Sequence, residues 1–228
     1  KRVGLKRMQD VCKALQMTIV PVEEIDTENK TIYFKDGTSA SYERLISSLP
    51  LPEIVDMIDG CPQDVKHAGH SLHNTCGYMV SLGFRRPDVA KHLWFYIYDE
   101  DIPFARVNSP SMKSVWNAPQ GKSSLQFEVY YSKEHALKYS DEELCEKVLS
   151  SMENMYLAAR DDVEVIDVRH IKYANVIFYK GMEQHRDNVL KYLANKKIYS
   201  CGRFGKWDYL WSDQSFLSGI DAVKGCID

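Results

Sequence analysis

The sequence predicts a mixed α/β (α+β) chain in which an antiparallel sheet is set between two halves of a layer that closes only near the carboxyl end. Three observations carry this. Apolar groups recur at helical spacing in the first residues and again at 141–155, 182–195 and 214–226. Runs of β-branched and aromatic residues bounded by Pro, Gly, Asp or Asn crowd the middle of the chain. A short apolar strand and a helix then return after the last of these runs.

Taken in order, Val3, Met8, Val11, Cys12 and Leu15 form a helical stripe over 3–16. MTIVPVEEI then reads as a strand. Ile32 and Phe34 alternate with polar neighbours, and Asp36-Gly37 is a hairpin signal. Leu45-Ile46 begins a strand that ends at Pro50, and LPEIVDMI restarts as a short helix with Pro52 in its first turn. CGYMVSLGF, HLWFYIYD, ARVNS and LQFEVYYS supply the sheet. Ser140 opens a helix with Glu143 three residues on, a capping box. VEVIDVRHIKYANVIF is a long strand, MEQHRDNVLKYLAN a helix and KIYSCG a strand. Ser212 or Asp213 is expected to cap the final helix.

Composition narrows the function classes. Hydrophobic residues make up 44% and charged residues 27%, an ordinary globular balance, and the net charge of -3 gives no basic face for nucleic acid. No apolar run approaches the length of a bilayer span, and no signal peptide opens the sequence. The six cysteines are scattered, without C-x-x-C or zinc spacing, so they read as reduced thiols and favour a cytoplasmic address with no metal site. The first residues lack Met, and the chain is expected to be a piece of something longer.

The stretch YSCGRFGKWDYLWSDQSFLSGIDAV, residues 199–223, concentrates chemistry. Gly202 allows close backbone approach, Arg203 offers a fork of donors suited to phosphate, and a helix start follows whose free N–H groups suit an anion or a carbonyl. A glycine turn with an exposed arginine accounts for the same residues. Arg85 and Arg86 sit where a strand leaves the sheet, and adjacent strand side chains point to opposite faces, so at most one faces a pocket. Both can equally be solvated. Trp94, Tyr96 and Tyr98 share one strand face, which floors either a polar pocket or a core with wet edges. His67, His70 and His73, in HAGHSLHN, read as a loop or short turn without function. G-x-S-x-G, P-loop and G-x-G-x-x-G motifs are absent from these residues.

GRFGKWDYLWSDQSFLSGIDAV resembles the closing motif of flavin enzymes of the amine-oxidase and protoporphyrinogen-oxidase superfamily, and within it the eukaryotic-type UDP-galactopyranose mutases. FKDGTSASYERLISSLPLPEIVDMI and GFRRPDVAKHLWFYIYDEDIPFARVNSPS resemble two further segments in the same order, so the resemblance spans nearly the whole chain. It implies a partial FAD-binding layer, Rossmann-like and of the glutathione-reductase type, carrying an inserted antiparallel-sheet substrate domain. The expected division is 1–66 and 191–228 for the FAD-binding layer and 67–190 for the substrate domain.

The resemblance also implies roles. Arg203 and Arg86, with Arg85 in reserve, would bind a nucleotide-sugar diphosphate; Tyr209 would bond phosphate and Tyr173 would lie near the substrate. Gly202, Arg203, Asp213, Gln214 and Ser215 would lie against FAD, with the helix start aimed at its pyrimidine carbonyl. No side chain is assigned a catalytic role, because the flavin carries the chemistry and the protein clamps and positions. The chain departs from the mutase pattern in two places: the segment after Tyr209 is shorter, and the His expected beside Ser215 is missing. The glycine fingerprint for the ADP half of FAD is also absent, so an N-terminal Rossmann segment is an expected partner. The implied activity is UDP-galactopyranose mutase-like, in polysaccharide or lipopolysaccharide (LPS) synthesis. An amine-oxidase-type FAD oxidoreductase and an inactive fragment are the alternatives.

Overall fold

The computed structural model describes residues 20–227. The stripe at 3–16 lies outside them. Two compact units are present, one holding the chain through His73 together with the stretch from Phe178 onward, the other being Asn74–Ile177. The boundaries differ from the expected 67–190 because the helices Gln63–His70 and Met182–Asn195 pack with each other in the first unit.

In the first unit, β1 (Val22–Asp26), β2 (Thr31–Phe34) and β3 (Ser39–Ser41) form an antiparallel sheet in the order β1-β2-β3. Asp36-Gly37 makes the β2–β3 turn, where the Asp36 carboxylate accepts the Thr38 N–H at 3.0 Å. β4 (Leu45–Ser47) leads through Pro50 into α1 (Leu51–Met57), and α2 (Gln63–His70) follows. After the second unit come α5 (Met182–Asn195), β10 (Ile198–Ser200), α6 (Gly202–Lys206) and α7 (Ser212–Ile227). α1, α2, α5 and β10 meet around buried Leu51, Val55, Val65, Val189, Leu193 and Ile198. β10 pairs in parallel with β4, Tyr199 opposite Ile46.

The second unit is built on a five-stranded antiparallel sheet ordered β6-β7-β8-β5-β9. Its strands are β5 (Asn74–Phe84), β6 (Trp94–Tyr96), β7 (Arg106–Asn108), β8 (Ser123–Tyr131) and β9 (Val163–Val176), with the one-turn helix α3 (Pro110–Lys113) between β7 and β8. Strand alternation sends Val80, Leu82, Phe84, Leu125, Phe127 and Val129 to one face. There α4 (Asp141–Asn154) covers them with Leu144, Val148, Leu149 and Met152, the one-sided burial that antiparallel sheets permit. The capping box is formed: Glu143 N–H donates to Ser140 Oγ at 3.2 Å, and Ser140 N–H donates to Glu143 Oε2 at 2.9 Å.

Three local expectations are corrected. HAGHSLHN is not a loop throughout, because His67 and His70 close α2 and His70 Nε2 lies 2.8 Å from Asp56 Oδ1. KIYSCG is not a strand to its end; β10 stops at Ser200, and residues 202–206 wind into α6. Neither Ser212 nor Asp213 is the cap of α7. The helix starts at Ser212, and Gln214 Oε1 reaches back to accept the Trp211 N–H at 2.8 Å.

α4 ends in a Schellman turn, with Leu157 N–H donating to Met152 O at 3.1 Å and Tyr156 N–H to Glu153 O at 2.9 Å. The left-handed position, which favours glycine, is taken by Tyr156 at φ 55°, and its side chain is 93% exposed. Tyr156→Gly therefore removes strain while losing almost no packing. It should raise the unfolding free energy by about 1 kcal/mol in urea titration. Lower stability in the variant would contradict this account of the turn.

Candidate functional site

The carboxyl ends of β4 and β10 lie side by side, the place where open parallel sheets gather ligand-binding loops. Cys201 N–H donates to Ser47 O at 2.9 Å and carries the pairing one step past β10. Gly202 follows at φ 75°, a left-handed conformation that L side chains rarely adopt. Its N–H donates to Ser218 Oγ at 2.8 Å, and that hydroxyl donates to Ser215 O at 2.7 Å. Three residues on, a Cβ at Gly205 would stand 3.1 Å from Ser47 O, so a side chain there would press the β4 backbone back by a few tenths of an ångström.

Arg203 is half-buried. Its Nε and Nη2 both donate to Leu210 O, at 2.9 and 2.7 Å, and its guanidinium carbon lies 4.6 Å from the centre of the Tyr209 ring. The guanidinium thus folds the 207–210 segment back over α6 and uses two of its donors to do so. Tyr209 itself is 49% exposed. Trp211, Ser212, Asp213 and Gln214 are exposed, and Ser215 N–H makes the first intrahelical bond, to Trp211 O at 2.8 Å. The N–H groups of the first turn of α7 therefore have no intrahelical acceptor and belong to exposed residues. The geometry brings Gly202, Arg203, Tyr209, Asp213, Gln214 and Ser215 into one neighbourhood of the first unit.

Arg85, Arg86 and Tyr173 belong to the second unit. Both arginines are exposed. Arg86 is engaged with two carboxylates, donating to Asp88 at 2.9 and 3.1 Å and to Asp162 at 3.2 Å. Its bonds to Asp88 push its pKa up and hold that of Asp88 below the usual carboxylate range. Arg86, Asp88, Lys91, Glu153 and Tyr156 border a cavity of about 430 Å³. Arg85 shares no ion pair among the described residues, so of the two it is the freer cation. Tyr173 is half-buried on β9, with the Lys172 ammonium 5.3 Å from its ring centre.

The sheet face away from α4 gathers residues that sequence spacing does not single out. Register places Trp94, Asn108, Gln126 and Ser81 in one cross-strand row and Tyr96, Arg106, Glu128 and Met79 in the next. Asn108 Nδ2 donates to Gln126 Oε1 at 3.0 Å, and Gln126 Nε2 donates to Ser81 Oγ at 3.1 Å. Glu128, 3% exposed, accepts from Arg106 Nε at 2.9 Å, from Asn108 Nδ2 at 3.3 Å and from the Tyr130 hydroxyl. A carboxylate buried to this degree requires such partners. Burial, then the bond to Glu128 and its charge, push Tyr130 up to about 12. Burial works against the charge of Arg106, but bonds to Glu128 and Tyr96 outweigh it and hold that pKa above its ordinary value. Only the alternation of Trp94 and Tyr96 hints at this face in the sequence.

A family-wide profile described as flavin containing amine oxidoreductase matches residues 18–226. The chain belongs to that family. Its fold is similar to that of a reduced UDP-galactopyranose mutase, with a TM-score of 0.85 at 24% identity, over 96% of this chain and 50% of that one. A candidate protoporphyrinogen oxidase from Exiguobacterium sp. 255-15 aligns with a TM-score of 0.61 at 11% identity, over 85% of this chain and 44% of its own. A CLA-producing fatty acid isomerase from P. acnes aligns with 0.62 at 14%, over 90% and 47%. The chain thus spans about half the length of the structures it matches. The mixed α/β class with an antiparallel sheet is the fold these structures share.

Membership implies a flavin cofactor. The residues present suit one edge of such a ring. The first turn of α7 has N–H groups without an intrahelical acceptor, which suit a carbonyl, and the Gly202 turn leaves room for close approach at the strand ends. No described helix is long and apolar enough to cross a membrane, and no group of three or more metal-ligating side chains occurs among the described residues.

Two outcomes check this geometry. Gly205→Ala forces backbone apart at Ser47 and should cost about 1–3 kcal/mol in denaturant unfolding; wild-type stability would show that the α6–β4 approach is not tight. Tyr130 has a folded pKa of about 12 against about 10 unfolded, so its contribution is complete below pH about 10 and is lost as pH rises toward about 12. The stability advantage of wild type over Tyr130→Phe should therefore shrink across that window. An advantage that stays constant with pH would detach Tyr130 from Glu128.

Proposed function

We propose that this chain is the C-terminal portion of an FAD-dependent enzyme that acts on a nucleotide-sugar with UDP-galactopyranose mutase-like chemistry, serving polysaccharide or LPS synthesis. The observation that carries the proposal is the Gly202–Arg203 turn at the carboxyl ends of β4 and β10, beside the open first turn of α7. The fork of Arg203 is fixed by Leu210 O, which leaves Nη1 to meet a phosphate oxygen in a set orientation. Tyr209, stacked on that fork and half-exposed, adds a hydroxyl at the same place. Arg85, unpaired among the described residues, is the better second diphosphate cation, and Arg86, held by Asp88 and Asp162, the weaker one. Tyr173 is assigned to the substrate as well.

Bound flavin would supply the reactive centre. The residues of this chain bind, orient and hold the phosphates, and Gly202, Asp213, Gln214 and Ser215 border the ring. The ADP half of FAD would be held by an N-terminal Rossmann segment, and the chain alone would be inactive. The family match favours a second reading, an amine-oxidase-type FAD oxidoreductase.

UDP titration separates these readings. Wild-type chain should bind UDP, and Arg203→Ala should weaken binding by about 1–3 kcal/mol, the scale of a charged hydrogen bond. Equal affinity in the variant removes Arg203 from the clamp. In the flavin-loaded enzyme, UDP-galactofuranose formed from UDP-galactopyranose supports the mutase reading. Oxygen consumption with an amine or a porphyrinogen, without furanose, supports the oxidoreductase.

A further inference from the structure

We propose that the outer edge of β9 is a dimer interface, along which a second copy of this chain lays its own β9 antiparallel, in a register centred on Val168. The edge lies wholly within the second unit, and the contact requires neither flavin nor nucleotide.

The edge itself is the first observation. β6, at the other side of the sheet, is 3 residues long, whereas β9 runs for 14. Among the described residues β9 pairs with β5 alone, and 165–171 make no backbone bond to any further segment. Such a strand presents a row of N–H and C=O groups that another strand can satisfy. Register shifts at Thr75–Gly77 and at Gly83–Phe84 leave 165–171 as the evenly paired stretch between them. That stretch holds no proline to block pairing. Its apolar side chains meet water on both faces, Val165 being 58% and Ile166 45% exposed.

Charge gives the second observation. The stretch reads VIDVRHI, and it is self-complementary. A two-fold axis through the sheet at Val168 sets Asp167 opposite the partner subunit's Arg169 and Arg169 opposite the partner subunit's Asp167. It also sets Val165 opposite the partner subunit's Ile171, which covers an exposed apolar group. Asp167 and Arg169 already bond to each other within one chain, Nε to Oδ2 at 2.8 Å. Arg169 uses Nε alone for this, so its terminal nitrogens are left for a second carboxylate. The pairing therefore closes a ring of alternating charge across the axis.

Other registers are rejected by the same residues. An axis at Asp167 sets two carboxylates against each other, and an axis at Arg169 sets two guanidinium groups against each other. Like charges directly opposite destabilise a strand pair. An axis between two residues sets side chains from opposite faces against each other, because they alternate along the strand. The register at Val168 remains. A strand that carries its own complement selects a second copy, and the two-fold axis closes the contact as a dimer.

Sedimentation velocity of the chain over roughly 1–100 μM tests the pairing. Wild type should reach a dimer within that range. Asp167→Arg and Arg169→Asp should each weaken the dimer at least about tenfold, because each sets like charges opposite one another. Both side chains are well exposed, at 46% and 68%, so the circular dichroism spectrum should not change. Mixing the two variants in equal amounts should restore a dimer, since a chain positive at both positions then meets one negative at both. The double reversal within one chain should also dimerise. A wild type that stays monomeric refutes the proposal. So does a dimer that either single reversal leaves intact, or a failure of both the mixture and the double reversal to dimerise.

Discussion

The parallel pairing of β4 with β10 is the constraint on which the first unit depends. Three residue pairs, Leu45–Ile198 through Ser47–Ser200, tie together segments from opposite ends of the sequence. A contact so distant along the chain carries a loop-closure cost, which buried Leu193 and Ile198 help to offset. Everything at the candidate site hangs from that seam. Ser47 O accepts from Cys201 and sets the approach of α6, α6 carries Arg203, and Arg203 ties down the segment that leads into α7.

The second unit depends on long-range order of another kind. β5 lies between β8 and β9 over almost its entire length, so its alternation decides what both neighbours present. The core face is apolar and covered. The other face carries a buried glutamate, which survives only because arginine, asparagine and tyrosine reach it from three positions at once. Such a pair adds less stability than its geometry invites one to suppose, so its strength lies in fixing side-chain positions.

Local signals made much of this legible in the sequence. The Ser140–Glu143 box, the Asp36-Gly37 turn and the strand alternation at Val80, Leu82 and Phe84 are each decided by residues within a few positions of one another. The failures share one cause as well. Gln214 rather than Ser212 or Asp213 serves the start of α7, because the Ser212 N-cap expected from propensity gives way to where the preceding Leu210–Trp211 segment is pinned by Arg203. α2 forms over a histidine-rich, glycine-containing stretch because Val65 and Ala68 are buried against α1 and α5, a gain invisible to local propensity. The polar rows on the open sheet face exist only through register between strands, and no spacing along one strand encodes them.

The Ser218 hydroxyl is a small feature with a long reach. It accepts from Gly202 and donates to Ser215, so a single rotor joins the glycine turn to the opening of the last helix. Displacing that helix lengthwise breaks or bends one of these bonds and tugs on the turn that carries the arginine. The glycine turn and the last helix are therefore fastened to each other at one hydroxyl, and the position of the helix fixes that of the turn.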